Sequence, residues 1–123
     1  MSFEITNERS ASYLGVRPRS DGEGVLQDMH WFSGYIGYFQ SYTLGNCYAA
    51  QFLEAMEKDL PDLFDRVRQG DFASVKAWNG AHIHRFGATR PARTILRDAT
   101  GEDLNADRYV RYLTDKYARV YGL

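Results

Sequence analysis

Residues 37–60, "GYFQSYTLGNCYAAQFLEAMEKDL", constrain the fold more than any other stretch of the chain. Tyr42, Gly45, Ala49, Phe52 and Met56 recur at spacings of three and four, the period of one helix face. Phe39, Leu44 and Tyr48 add apolar surface away from that face. A helix that is apolar on more than one side has to be surrounded by other elements, so the pattern predicts a central, buried helix. Gly45 and Ala49 leave room on one face for another backbone. Charges gather only at the end, at Glu54, Glu57, Lys58 and Asp59.

The remaining segments supply elements to surround it. Residues 3–14 read as a short helix closed by Gly15. "VRPRSDGEG" is a loop of turn formers. "PDLFDRVRQG" is a short helix with Pro61 at its first position and Gly70 past its end. Asp71 is placed to cap the next helix, whose face carries Phe72, Val75, Trp78 and His82 and which ends near Gly87. "RPARTILRDATG" is bracketed by Pro91 and Gly101. Asn105 or Asp107 opens a last helix with Tyr109, Leu113, Tyr117 and Val120 in register. Apolar alternation at period two is nowhere sustained. The expected architecture is all-α, about six helices with short connections in a single domain, 1–123.

Charge and cysteine content narrow the function. With 15 basic and 16 acidic residues the formal net charge is −1, without the basic surplus that nucleic-acid binding needs. Arg85, Arg90, Arg93 and Arg97 read as a solvated face. The single cysteine, Cys47, excludes an intrachain disulfide and a cysteine-based zinc site. No apolar run approaches the ~18 residues of a membrane span. The polar start "MSFEITNERS" has no secretory apolar region. A cytoplasmic location is expected, with neither nucleic acid nor a membrane as partner.

The chemistry-bearing residues gather in "GVLQDMHW", residues 24–31. His82 and His84 stand two apart, whereas a helical metal pair needs a spacing of four. His30 follows Asp28 by two residues, and that carboxylate is positioned to orient the imidazole. Tyr35 and Tyr38 follow closely, and Gly34 and Gly37 permit the turns that would aim them. A histidine donor and a phenol on one wall can stabilise an oxyanion. On composition alone, a loop whose histidine and tryptophan fill a gap in the core is the favoured reading.

"GVLQDMHW" fits Gly-x-x-Gln-Asp-x-His-Trp, a motif of the M32, or carboxypeptidase Taq, family of metallocarboxypeptidases. "YLGVRP", "GYFQSYTLGNCYAAQF", "IHRFG" and "ATGEDLNADRYVRYLTDKYARVYGL" also resemble the C-terminal portion of that family, in the family's order. The resemblance implies a mostly-α cytoplasmic enzyme several times this length. Such enzymes release C-terminal residues from peptides with one metal, usually zinc, held by a His-Glu-x-x-His helix and a downstream glutamate. The region seen here would form the opposite wall of the cleft. By similarity His30 would hydrogen-bond substrate backbone or the tetrahedral intermediate, and Tyr38 would stabilise the oxyanion. "YIGYF" is loosely similar to the Tyr-Ile-x-Tyr-Phe stretch of the angiotensin-converting enzyme group. That supports Tyr38 and makes Tyr35 a candidate for the substrate carboxylate. Gln27, Asp28 and Trp31 match the motif as supporting substrate-site residues, Asp28 by fixing the His30 tautomer.

This sequence departs from the family pattern in lacking His-Glu-x-x-His, and its three histidines cannot supply that spacing. A catalytic zinc needs three protein ligands and an open position. The chain is therefore expected to hold no zinc by itself and to be inactive alone. A separate chain would carry the metal site, and peptide C-termini would be the ligands. The alternatives are a peptide- or partner-binding module derived from the family, and a purely structural, self-associating protein. In every case the surface left by the missing portion is apolar and tyrosine-rich, so a homo-oligomer is expected.

Overall fold

The structure, a computed structural model, describes residues 3–123. Among them it has seven α-helices, three 3-10 turns and no strand. The helices are α1 (Phe3–Leu14), α2 (Met29–Phe32), α3 (Gln40–Asp59), α4 (Leu63–Arg68), α5 (Ala73–His82), α6 (Ala92–Thr100) and α7 (Ala106–Tyr121). The all-α expectation holds, and the additional helix is the short α2, which lies inside the "GVLQDMHW" stretch. The chain divides into two compact units, one ending at Ser41 and one spanning Tyr42–Leu123.

In the first unit α1 ends where Gly15 turns into the left-handed region at φ 69°. Ser20 caps the first 3-10 turn, its hydroxyl accepting from the Glu23 amide. Gly24 follows, packed so closely on Pro18 that a Cβ there would lie 3.0 Å from the Pro18 Cβ and 3.3 Å from Asn7 Oδ1. A side chain at that point would require Pro18 and Asn7 to give way by a few tenths of an ångström.

In the second unit Ala55 and Met56 of α3 pack with Leu63 and Trp78, ringed by Phe52, Leu60, Val67 and Val75. The long helix is thus buried over its C-terminal part, where Cys47, Gln51, Ala55 and Met56 are covered. Its first turns are open, with Tyr42 58 % and Leu44 45 % exposed. Trp78 is held on two sides. Its indole N–H donates to Asp59 Oδ2 at 2.7 Å, and the His82 ring stacks on it at 4.4 Å. Phe72, expected on the same face, is exposed instead.

The caps follow the sequence closely. The N-cap position of α5 is Phe72 rather than Asp71, although Asp71 Oδ1 still accepts from the Ala73 amide at 3.0 Å, and Asn105, rather than Asp107, caps α7 by accepting from the Asp107 amide. Pro61 lies two residues before α4 rather than at its first position, because Asp62 occupies the cap. Gln51, 2 % exposed, bolts α3 to the start of α7. Its amide nitrogen donates to Glu102 Oε1 and the Asp103 carbonyl, and its oxygen accepts from the Asn105 amide. Arg108 forks onto both oxygens of Glu102 and reaches Glu54 as well. The Arg108 guanidinium holds the Glu102 carboxyl below its usual range.

Candidate functional site

The short helix α2 explains the Asp-x-His spacing. Asp28 is its N-cap, with extended backbone at φ −80° and ψ 98°. One oxygen of Asp28 performs two tasks. It accepts from the backbone N–H of His30 at 2.9 Å, and the same atom lies 2.8 Å from the His30 ring at Nδ1. A cap carboxylate reaches the amide of the second or third helical residue. Placing the histidine at the second position therefore lets the capping oxygen also seize its ring. An ionised carboxylate can only accept, so Nδ1 carries the proton that it binds, and the ring is fixed in orientation and tautomer. Both side chains are mostly sheltered, at 18 % and 17 % exposure, which strengthens the bond relative to one in open water.

The aromatic residues close around that ring. The Tyr35 amide donates to the His30 carbonyl at 2.8 Å, and Gly34 takes φ 76° to let the chain turn back. Gly37, at φ 82°, makes a second turn, and the Tyr38 amide donates to the Tyr35 carbonyl. The result sets the Tyr38 ring 5.7 Å from His30 and 25° from parallel, while Phe39 meets His30 edge-on at 5.7 Å. Tyr35 and Tyr38 rings lie 5.9 Å apart.

Of the residues marked from sequence, Asp28, His30, Tyr35 and Tyr38 come together. Gln27 does not join them through its amide nitrogen, which donates back to the Gly22 carbonyl and braces the loop before α2. Trp31, on the helix itself, is 42 % exposed. Phe39, which the sequence pattern marks only as part of the central helix's apolar surface, joins them through its edge-on contact with His30. The ring packing on His30 depends on two glycine turns whose angles no periodicity predicts. Among the described residues no three His, Cys, Asp or Glu side chains are grouped to hold a metal ion. No helix among them is long and apolar enough to cross a membrane.

Comparison with known proteins covers nearly the whole chain. The family model for carboxypeptidase Taq (M32) metallopeptidase matches residues 3–117. Thermostable carboxypeptidase 1 of Pyrococcus furiosus is 42 % identical over 114 residues, 93 % of this chain and 23 % of that protein. Carboxypeptidase 1 of Bacillus subtilis is 42 % identical over 119 residues, 97 % of this chain and 24 % of that protein. Among solved structures, the M32 carboxypeptidase from Deinococcus radiodurans superposes with a TM-score of 0.91 at 36 % identity, over 98 % of this chain and 24 % of its own. The Pyrococcus furiosus carboxypeptidase gives 0.88 at 42 % identity, over 93 % of this chain and 23 % of its own. The chain thus spans about a quarter of the length of the relatives it matches.

Proposed function

The chain belongs to the carboxypeptidase Taq (M32) metallopeptidase family, and from that premise we propose that it is the C-terminal, substrate-facing part of a metal-dependent carboxypeptidase. It supplies one wall of the cleft. A complementary polypeptide supplies the metal, zinc in the family, and the general base. The observation that carries the proposal is the Asp28–His30 bond with the Tyr38 ring beside it.

In this role Asp28 keeps the proton on His30 Nδ1, so Nε2 is the ring atom turned to the substrate. Through Nε2 the ring hydrogen-bonds the peptide backbone or the oxygen that gains charge when the carbonyl is attacked, while Asp28 holds the ring in place. The Tyr38 hydroxyl is the second donor to that oxygen. Tyr35 is assigned to the terminal carboxylate of the peptide. Gln27 and Trp31 hold the wall in shape, Gln27 through the Gly22 carbonyl. The bound metal would polarise the scissile carbonyl and activate water, and it arrives with the complementary part. The proposed setting is the cytoplasm.

A second reading has one specific observation in its favour. Met29, Phe32, Tyr35 and Ile36 are each more than 60 % exposed, a concentration of apolar surface that suits a partner- or self-binding module derived from the family.

Kinetics on the chain combined with the complementary portion of a relative test the assignment. His30→Gln and Tyr38→Phe should each lower kcat about 10²–10³-fold with little change in KM, the signature of a lost oxyanion donor. Unchanged kcat in both variants would remove the proposed wall.

A further inference from the structure

Asp28 fixes the His30 ring at one atom. Its Oδ1 lies 2.8 Å from Nδ1 and sets which nitrogen carries the proton. A single hydrogen bond leaves the ring free to swing about that contact, and Nε2, on the far side of the ring, moves most. Where Nε2 points therefore depends on what packs against the rest of the ring.

Tyr38 and Phe39 pack against it in crossed planes. The Tyr38 ring stands 25° from parallel to the imidazole and the Phe39 ring 70°, each with its centroid 5.7 Å away. These are the stacked and edge-to-face arrangements that aromatic rings favour. Two neighbours in crossed planes limit the imidazole along two directions, where either alone would limit one. Consecutive side chains of a helix diverge and do not meet on one group. Residues 38 and 39 converge on His30 because α3 has not yet begun there. Gly37 turns the chain at φ 82°, the Ser41 amide donates to the Tyr38 carbonyl at 2.9 Å, and the helix starts at Gln40.

The two rings differ in what they can contribute. Tyr38 carries a hydroxyl, which the proposed function assigns to the oxyanion. Phe39 has no polar side-chain atom, so it can act on the site only by packing. At 61 % exposure it also adds little to the core. We propose that Phe39 is a positioning residue: it holds the imidazole at the angle that Asp28 leaves open and so aims Nε2 at the substrate. The inference rests on the proposed function and adds to it a residue that touches no reacting atom.

Two measurements test it. On the chain alone, carbon-13 NMR relaxation of the His30 ring should show greater mobility in Phe39→Leu, with Nδ1 still protonated and helix content unchanged. Phe39→Tyr, which keeps an aromatic ring, and Tyr38→Phe should leave the His30 ring as rigid as in the wild type. In combination with the complementary portion of a relative, Phe39→Leu should lower kcat about two- to tenfold with little change in KM, and Phe39→Tyr should restore it. Added to His30→Gln, Phe39→Leu should cost nothing further, as expected of a residue that acts through the histidine. Unchanged ring mobility in Phe39→Leu would overturn the proposal whether or not the combination is active. A loss of kcat that persists in full in the His30→Gln background would also overturn it. Unchanged kcat in Phe39→Leu beside a large loss in His30→Gln would overturn the positioning role and leave the proposed function standing. Unchanged kcat in His30→Gln would instead overturn the proposed function, and the inference with it.

Discussion

Asp28 shows how one side chain can serve fold and site together. Replacing it with alanine removes the α2 cap, at a cost of about 1 kcal/mol to that helix, and frees the His30 ring to change tautomer. Nitrogen-15 NMR of His30 should lose the protonated Nδ1 signature in Asp28→Ala and keep it in Asp28→Asn, whose amide oxygen still accepts. Gly24→Ala is expected to cost about 1–3 kcal/mol in urea unfolding, because its Cβ would press on the Pro18 ring. The Asp28–His30 pairing was legible from spacing, since both partners lie within one turn of chain. The brace from Gln27 to Gly22 was not, because its acceptor is a backbone carbonyl that any residue could provide. Tyr35 is a candidate for the substrate carboxylate by loose similarity alone, and in the structure its ring stands beside Tyr38.

At the scale of elements, the Gln51–Glu102–Arg108 assembly joins α3, the turn after α6 and the start of α7. Gln51→Leu leaves the Asn105 amide and the Asp103 carbonyl without their partner, an expected loss of about 1–3 kcal/mol by thermal unfolding. Its pH dependence has a definite sign. Arg108 lowers the Glu102 carboxyl in the folded state, so the pair contributes stability above the ordinary carboxylate range. That contribution fades as pH falls through the lowered folded value. Melting midpoints should therefore drop below about pH 4, and Glu102→Gln should be less stable near neutrality with a flatter acid limb. Helix identities and most ends were legible because proline, glycine and capping residues punctuate them. The Gln51 bolt was hidden, since a glutamine within an apolar stripe signals burial only once Glu102 and Asn105 are seen beside it. The open first turns of α3 were equally hidden, because periodicity records which faces want cover and not whether the chain covers them.

For the whole molecule, the exposed surface is the property that decides behaviour. Without a partner, the aromatic edge formed by Met29, Phe32, Tyr35 and Ile36 is expected to drive self-association, seen as a mass that rises with concentration in light scattering. A strictly monomeric species at high concentration would contradict it. The chain spans about a quarter of its relatives' length, and among its described residues no three His, Cys, Asp or Glu side chains are grouped to hold a metal ion. The measurement to make is release of the C-terminal residue from a blocked dipeptide with added zinc or cobalt, alongside metal analysis of the same sample. It should be run on the chain alone and with the complementary portion of a relative. The prediction is no turnover and no stoichiometric metal alone, and both in the combination, with turnover lost in His30→Ala. Turnover by the chain alone that survives repurification with one metal per chain would contradict the two-part enzyme.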